Sequence, residues 1–155
     1  MKQRDRVAMS PAEATAFLES SRKVQLATIN RDGAPHLVTM YYVLTDGLIT
    51  FWTYRSSQKA LNLARDPRIT CLVEDGNEYF DLRGVSVQGV VRTVEDADGV
   101  LAIGRRISAV TLNLHEGLAD DYVEHTARKR LGYVVEPIRV VSWDHSKLLP
   151  PDAGS

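Results

Sequence analysis

Alternating apolar and polar positions run through most of this chain. Between Val24 and Asn30, Val24, Leu26 and Thr28 share one face and Gln25, Ala27 and Ile29 the other, the period of a strand. Arg31-Asp32-Gly33 supplies a hairpin turn. His36–Leu44 differs from its neighbours. Leu37, Tyr41 and Val43 fall on one face, and Val38, Met40, Tyr42 and Leu44 on the other, so both faces are apolar or aromatic. A strand of that kind is central in its sheet, or is covered by a cofactor or a second subunit. Thr45-Asp46-Gly47 turns the chain again, and Leu48–Thr53 returns to complete a predicted antiparallel meander.

Three more strands are expected at Arg68–Glu74, Tyr79–Val94 and Gly132–Trp143. Gly84 and Gly89 in the second of these predict a bend or a close approach by another group, and Pro137 confines the last to an edge or a bulge. Helical signals fill the gaps. Ser10-Pro-Ala-Glu13 reads as a capping box with proline at the first helical position. Ala97–Arg106 reads as a helix, Thr111–Glu116 as a connection, and Asp120–Arg130 as a helix capped by Asp120 or Asp121. The pattern predicts a mainly β domain over residues 1–148, with six antiparallel strands and about four peripheral helices, and a mobile tail at 149–155. A closed or partly closed barrel removes exposed edges from such a sheet.

One helical stretch carries candidate chemistry. Thr53–Pro67 begins where the third strand ends and stops at Asp66-Pro67, with Ser56 or Ser57 as cap. A capped helix start offers free N–H groups and a positive dipole end to an anion. Arg55 and Lys59 place two cations beside it. The expected ligand is the phosphate of a cofactor.

Composition narrows the alternatives. The 155 residues are 44% hydrophobic and 25% charged with a formal net charge of -1, so no global field favours nucleic acid or an anionic membrane. The basic run Arg128-Lys129-Arg130 reads as a solvated helix end. Cys71, the single cysteine, excludes an intrachain disulfide and a cysteine-based metal site within one chain. Met1–Val7 lacks the apolar core of a secretory signal, and no apolar run reaches membrane-span length, so a cytoplasmic location is expected. His36, His115, His125 and His145 lack metal-ligand spacing, and no nucleophile elbow or dinucleotide fingerprint occurs. If the protein is an enzyme, a bound cofactor is expected to carry the chemistry.

The order of elements is itself informative. Leu26-Ala-Thr-Ile-Asn-Arg-Asp-Gly-Ala-Pro-His36, Val38-Thr-Met-Tyr-Tyr42, Phe51-Trp-Thr-Tyr-Arg-Ser-Ser-Gln-Lys59 and Asn62-Leu-Ala-Arg-Asp-Pro-Arg68 follow one another. Together they resemble the pyridoxamine 5′-phosphate oxidase-like split β-barrel flavoproteins. The nearest likeness is to their branch that uses the deazaflavin coenzyme F420, the flavin/deazaflavin oxidoreductases; Arg139-Val-Val-Ser-Trp-Asp-His145 also looks typical of that branch.

The resemblance implies a six-stranded split barrel that forms a homodimer, with the cofactor at the subunit interface. It implies that Val38, Thr39, Met40 and Tyr41 lie along the ring. It places Trp52, Thr53 and Tyr54 beside the ribityl chain and phosphate, and the phosphate grip on Ser57, Gln58 and Lys59, next to Ser56. Gln58 stands where the oxidases proper carry a cation, leaving Arg55 to replace it. Gly84–Gln88, ending in Gln88, and Trp143 are implied to cover the ring from the neighbouring subunit. The chain ends in Leu148-Leu-Pro-Pro-Asp, without the arginine that binds substrate in the pyridoxal phosphate enzymes. The implied activity is F420-dependent hydride transfer to a small unsaturated substrate. The alternatives are an FMN-binding flavin reductase or oxidase, and a non-catalytic cofactor-binding protein. No metal, nucleic acid or membrane partner is implied.

Overall fold

A computed structural model describes residues 1–112 and 116–151. In chain order the helices are α1 (Gln3–Val7), α2 (Pro11–Ser20), α3 (Gln58–Arg65), α4 (Ala97–Thr111) and α5 (Glu116–Ala127). The strands are β1 (Lys23–Ile29), β2 (Pro35–Tyr41), β3 (Val43–Thr45), β4 (Leu48–Tyr54), β5 (Arg68–Asp75), β6 (Arg83–Val94) and β7 (Arg130–Asp144). Short 3-10 turns occupy Tyr79–Asp81 and His145–Leu148. Among the described residues no helix is long and apolar enough to cross a membrane. Part of the expected Thr111–Glu116 connection, including His115, and most of the expected tail lie outside the described residues.

All pairings are antiparallel, in the order β2-β1-β5-β6-β7-β4-β3. The single strand expected at His36–Leu44 is therefore two, and among the described residues the strands number seven rather than six. The two edge strands are consecutive in sequence, with only Tyr42 between them. The first segment pairs with β1 and the second with β4, so one bent strand brings the two edges of the curled sheet together, the architecture of a split barrel. Tyr42 holds the corner. Its backbone N–H donates to the Arg22 carbonyl at 3.0 Å, and its hydroxyl donates to the Leu18 carbonyl at 2.6 Å. Burial pushes this phenol up to about 12.

The inner face of the sheet is the core. Val24, Leu26, Phe51 and Cys71 have no exposed surface, and the Phe51 and Tyr133 rings stack at 5.1 Å. Truncating a buried ring of this kind costs about 3–5 kcal/mol. Pro137 does not sit at an edge, because β7 lies between β6 and β4. It sits at a bulge, where the β6–β7 register shifts between Gln88 and Gly89. A side chain at Gly89 would strike the Glu136 carbonyl, and one at Gly84 would strike the Trp143 ring, so both glycines mark close approaches.

Helices α4 and α5 build a second, smaller cluster, with Val100, Ile103, Ile107 and Val123 around Trp52. Asp96, whose carboxylate accepts from the Gly99 N–H at 2.8 Å, caps α4. That helix runs past the expected Arg106 to Thr111. Asp120 and Asp121 lie inside α5 rather than capping it, since the helix begins by Glu116.

Candidate functional site

The third helix supplies the first part of the site. Ser57, not Ser56, is its cap: the Ser57 Oγ accepts from the Ala60 N–H at 3.3 Å. The Thr53 hydroxyl donates to the same Oγ at 3.2 Å, tying the cap to β4. Ser56 is exposed in the turn before it. Gln58 points the other way and donates to Asn62 Oδ1 at 2.9 Å. Asn62 is fully buried and donates to Thr28 Oγ1 at 3.0 Å and Asn30 Oδ1 at 2.9 Å. The Arg65 guanidinium also donates to the Ile29 carbonyl. This polar network fixes α3 to the end of β1, and a buried network satisfied in this way holds its elements rigidly. Gln58 is thus a structural residue, and its neutrality is explained by its place in the network.

The cations form the second part. Lys59 is half-buried, and its ammonium is held below the ordinary lysine range, first by burial and then by the nearby Arg130 guanidinium. Arg130 is the first residue of β7 and pairs across the sheet with Tyr54. Its guanidinium carbon lies 4.4 Å from the Trp52 ring centroid and 4.2 Å from that of Tyr54. Its Nε is buried with no hydrogen-bond partner. The Arg55 N–H donates to the Lys129 carbonyl at 2.9 Å, which draws the β4–α3 turn against the start of β7. No described carboxylate pairs with Arg55, Lys59 or Arg130, whereas Arg68, Arg83, Arg92, Arg105 and Lys147 each have one. Of the unpaired cations, Lys59 and Arg130 are close enough to repel, and an anion with several oxygens relieves that repulsion while accepting hydrogen bonds. A hydroxyl, a capped helix start, an ammonium and a guanidinium with an orphaned Nε fit a phosphate group.

The remaining residues singled out in the sequence divide between two surfaces. Val38 and Met40 turn inward and pack against the core, while Thr39 and Tyr41 face outward. The apolar outer face of β2 is bare in the single chain, with Leu37 68% exposed. Trp52 and Thr53 are buried, so Trp52 meets the site through its contact with Arg130. Gln88 and Trp143 lie elsewhere. With Gln25, Leu72 and Arg139 they line an outer-face cleft of about 590 Å³ that contains none of residues 52–59. One chain therefore carries two separate surfaces, a cationic one at the end of β4 and an outer-face cleft across β2, β1, β5, β6 and β7.

Arg130 is the residue that sequence reasoning missed. Within Arg128-Lys129-Arg130 it looks like part of a solvated helix end; only its pairing with Tyr54 brings it to the site. Among the described residues no cluster of histidine, cysteine and carboxylate side chains could hold a metal ion. His36 sits on β2 opposite Thr28 with its Nδ1 buried and unpartnered.

Comparison with known proteins adds the following. The pyridoxamine 5′-phosphate oxidase family pattern matches residues 10–144. No curated protein matches the chain. Among solved structures, the chain is similar to a conserved hypothetical protein from Mycobacterium tuberculosis, Rv2991. The identity is 42%, over 97% of this chain and 94% of that one, with a TM-score of 0.88. It is also similar to an F420 reductase at 25% identity, over 84% of this chain and 98% of that one, with a TM-score of 0.67. HutZ, the heme storage protein from Vibrio cholerae, shares the fold at 16% identity, over 85% of this chain and 94% of that one, with a TM-score of 0.67.

Proposed function

The chain belongs to the pyridoxamine 5′-phosphate oxidase family, and from that membership we propose that it is an oxidoreductase working with a phosphate-bearing deazaflavin or flavin. The observation that carries this reading is the set of unpaired cations beside the Ser57 cap. In it, Ser57, Lys59 and Arg55 hold the phosphate, with Ser56 in the same turn and Thr53 fixing the cap through its hydrogen bond. The β2 backbone at Val38–Tyr41 follows the ring, with the outward Thr39 and Tyr41 side chains at its edge. A bound reduced deazaflavin supplies a hydride to a small unsaturated acceptor.

F420 is the preferred cofactor and FMN the alternative. The phosphate grip serves both, but the F420 reductase above is similar over nearly its whole length, and the cation of the oxidases proper is replaced by Gln58. The substrate arginine of those oxidases is also missing. The two surfaces support a homodimer, in which Gln88 and Trp143 of a second copy close over the ring. The bare apolar face of β2 is then covered on assembly.

Titration of the purified protein with F420 and with FMN, followed by absorbance and fluorescence, tests the reading. Submicromolar F420 binding without FMN binding supports the deazaflavin form, and the reverse selects the flavin form. Hydride transfer from reduced F420 to a quinone or enone separates an enzyme from a non-catalytic binding protein. Failure to bind either cofactor contradicts the whole reading.

A further inference from the structure

We infer that Trp52 and Tyr54 act as an aromatic clamp that presents the Arg130 guanidinium to the phosphate, adding a further full cation beside Lys59 at a site to which Gln58 lends no charge. The inference rests on the phosphate reading above and adds a residue from a distant element of the chain.

Four observations meet at this guanidinium. It lies against two rings, at 4.4 Å from Trp52 and 4.2 Å from Tyr54, and rings in that position attract a cation and restrict its rotation. Its Nε is buried without a partner, a costly state unless an acceptor arrives. It is close enough to Lys59 to disfavour that residue's charge, and no described carboxylate pairs with either of them. Finally, Gln58 is committed to Asn62 and lends the site no charge.

The clamp has its own support. A side chain at Gly104 would strike the Trp52 ring, so the glycine in α4 lets that helix press against one jaw. Val100, Ile103, Ile107 and Val123 complete the packing that holds Trp52. Tyr54, at 43% exposure, is the outer jaw. A cation stacked in this way depends on the planar guanidinium as well as on charge, so lysine is not an equivalent replacement. The small second core built by α4 and α5 thereby has a purpose in binding, because it sets the position of Arg130 through Trp52.

The test compares affinities for F420 and FMN, and for their phosphate-free forms, the ribityl deazaflavin and riboflavin. The proteins are the wild type, Arg130→Gln, Arg130→Lys, Tyr54→Leu, Lys59→Ala and, as a control, the exposed neighbour Arg128→Gln. Circular dichroism and melting confirm that each variant folds. Arg130→Gln is expected to weaken binding of the phosphate-bearing cofactor by at least about tenfold. Arg130→Lys is expected to restore little of it, and Tyr54→Leu to weaken it although the charge is kept. Binding of the phosphate-free form should stay at its wild-type level in the Arg130 and Arg128 variants. If Arg130→Gln matches Arg128→Gln while Lys59→Ala loses affinity, the clamp is wrong and the phosphate site stands. If the wild type binds neither cofactor, both fall. Full rescue by Arg130→Lys also overturns the clamp.

Discussion

Two sets of cations in this protein are placed differently, and the difference bears on the site. Arg68 meets Asp66 at 2.7 Å, Arg83 meets Asp75 at 2.6 Å, and Lys147 meets Glu13 at 2.6 Å while its ammonium also donates to the Ala8 carbonyl. Each of these is spent within the fold: it fastens a turn, a strand end or the N-terminal segment. Lys59 and Arg130 lie close together, beside aromatic rings and the Ser57 cap, and no described carboxylate pairs with either. Folding alone does not favour that gathering, because like charges brought together raise the energy of the free protein. A ligand that carries the missing negative charge gives it a purpose.

The sharpest way to break the comparison is to convert the second set into the first. Ser56→Asp adds a carboxylate at the exposed turn beside the cluster. It is expected to raise the melting temperature slightly, since an acid near a helix start contributes about 0.3–1 kcal/mol. It should also abolish most phosphate-dependent binding. Unchanged affinity in that variant would show that the cluster is not the phosphate site.

Removing a cation comes next in size. Lys59→Ala should cost about 1.5–3 kcal/mol of cofactor affinity, the range for a hydrogen bond to a charged group, with the fold intact. Isothermal titration measures the first and thermal melting the second. Arg83→Ala is the matched control: it breaks an exposed pair worth under about 1 kcal/mol and should leave affinity unchanged.

The two sets also differ in their response to pH. Burial, with Arg130 close by, lowers the Lys59 value below its unfolded 10.5, so the charged form destabilises the free protein. Stability therefore rises as pH climbs through the interval between that lowered value and 10.5. Phosphate affinity runs in the opposite direction. It should fall as pH rises through the lowered value, earlier than an ordinary lysine titrates, in titrations from about pH 6 to about pH 10. Asp66 shows the paired behaviour: its hydrogen bond from Arg68 holds it at about 2, so its stabilisation is present above 3.8 and lost as pH falls through about 2. Acid melting reads that loss and should show no dependence on cofactor phosphate.

The smallest effect concerns a residue remote from the site. Burial pushes the Cys71 thiol up to about 12, so it should resist thiol reagents in the native protein and react only on unfolding.

How much of this was visible in the sequence depends on range. Local chemistry marked most strand runs, a cap at Ser56 or Ser57, an edge or bulge at Pro137 and a bend or close approach at Gly84 and Gly89; the folded sheet decided between the alternatives, and the strand expected from Tyr79 begins only at Arg83, after a 3-10 turn. The division of His36–Leu44 at Tyr42 left no local mark, because the apolar run continues while the pairing partner changes from β1 to β4. Arg130 was hidden for the same reason: its role depends on lying opposite Tyr54, a pairing set by the whole sheet. The resemblance puts Trp52 beside the ribityl chain and phosphate, whereas in the fold it is buried under α4 and meets the site one layer further in, through Arg130.

The most direct test of the account is the affinity difference between a cofactor and its phosphate-free form, F420 against the ribityl deazaflavin and FMN against riboflavin. The account predicts that one of the phosphate-bearing cofactors binds at least about tenfold more tightly than its phosphate-free form, and that the advantage disappears in Lys59→Ala. Equal binding of the two forms, or an advantage that survives Lys59→Ala, would contradict it.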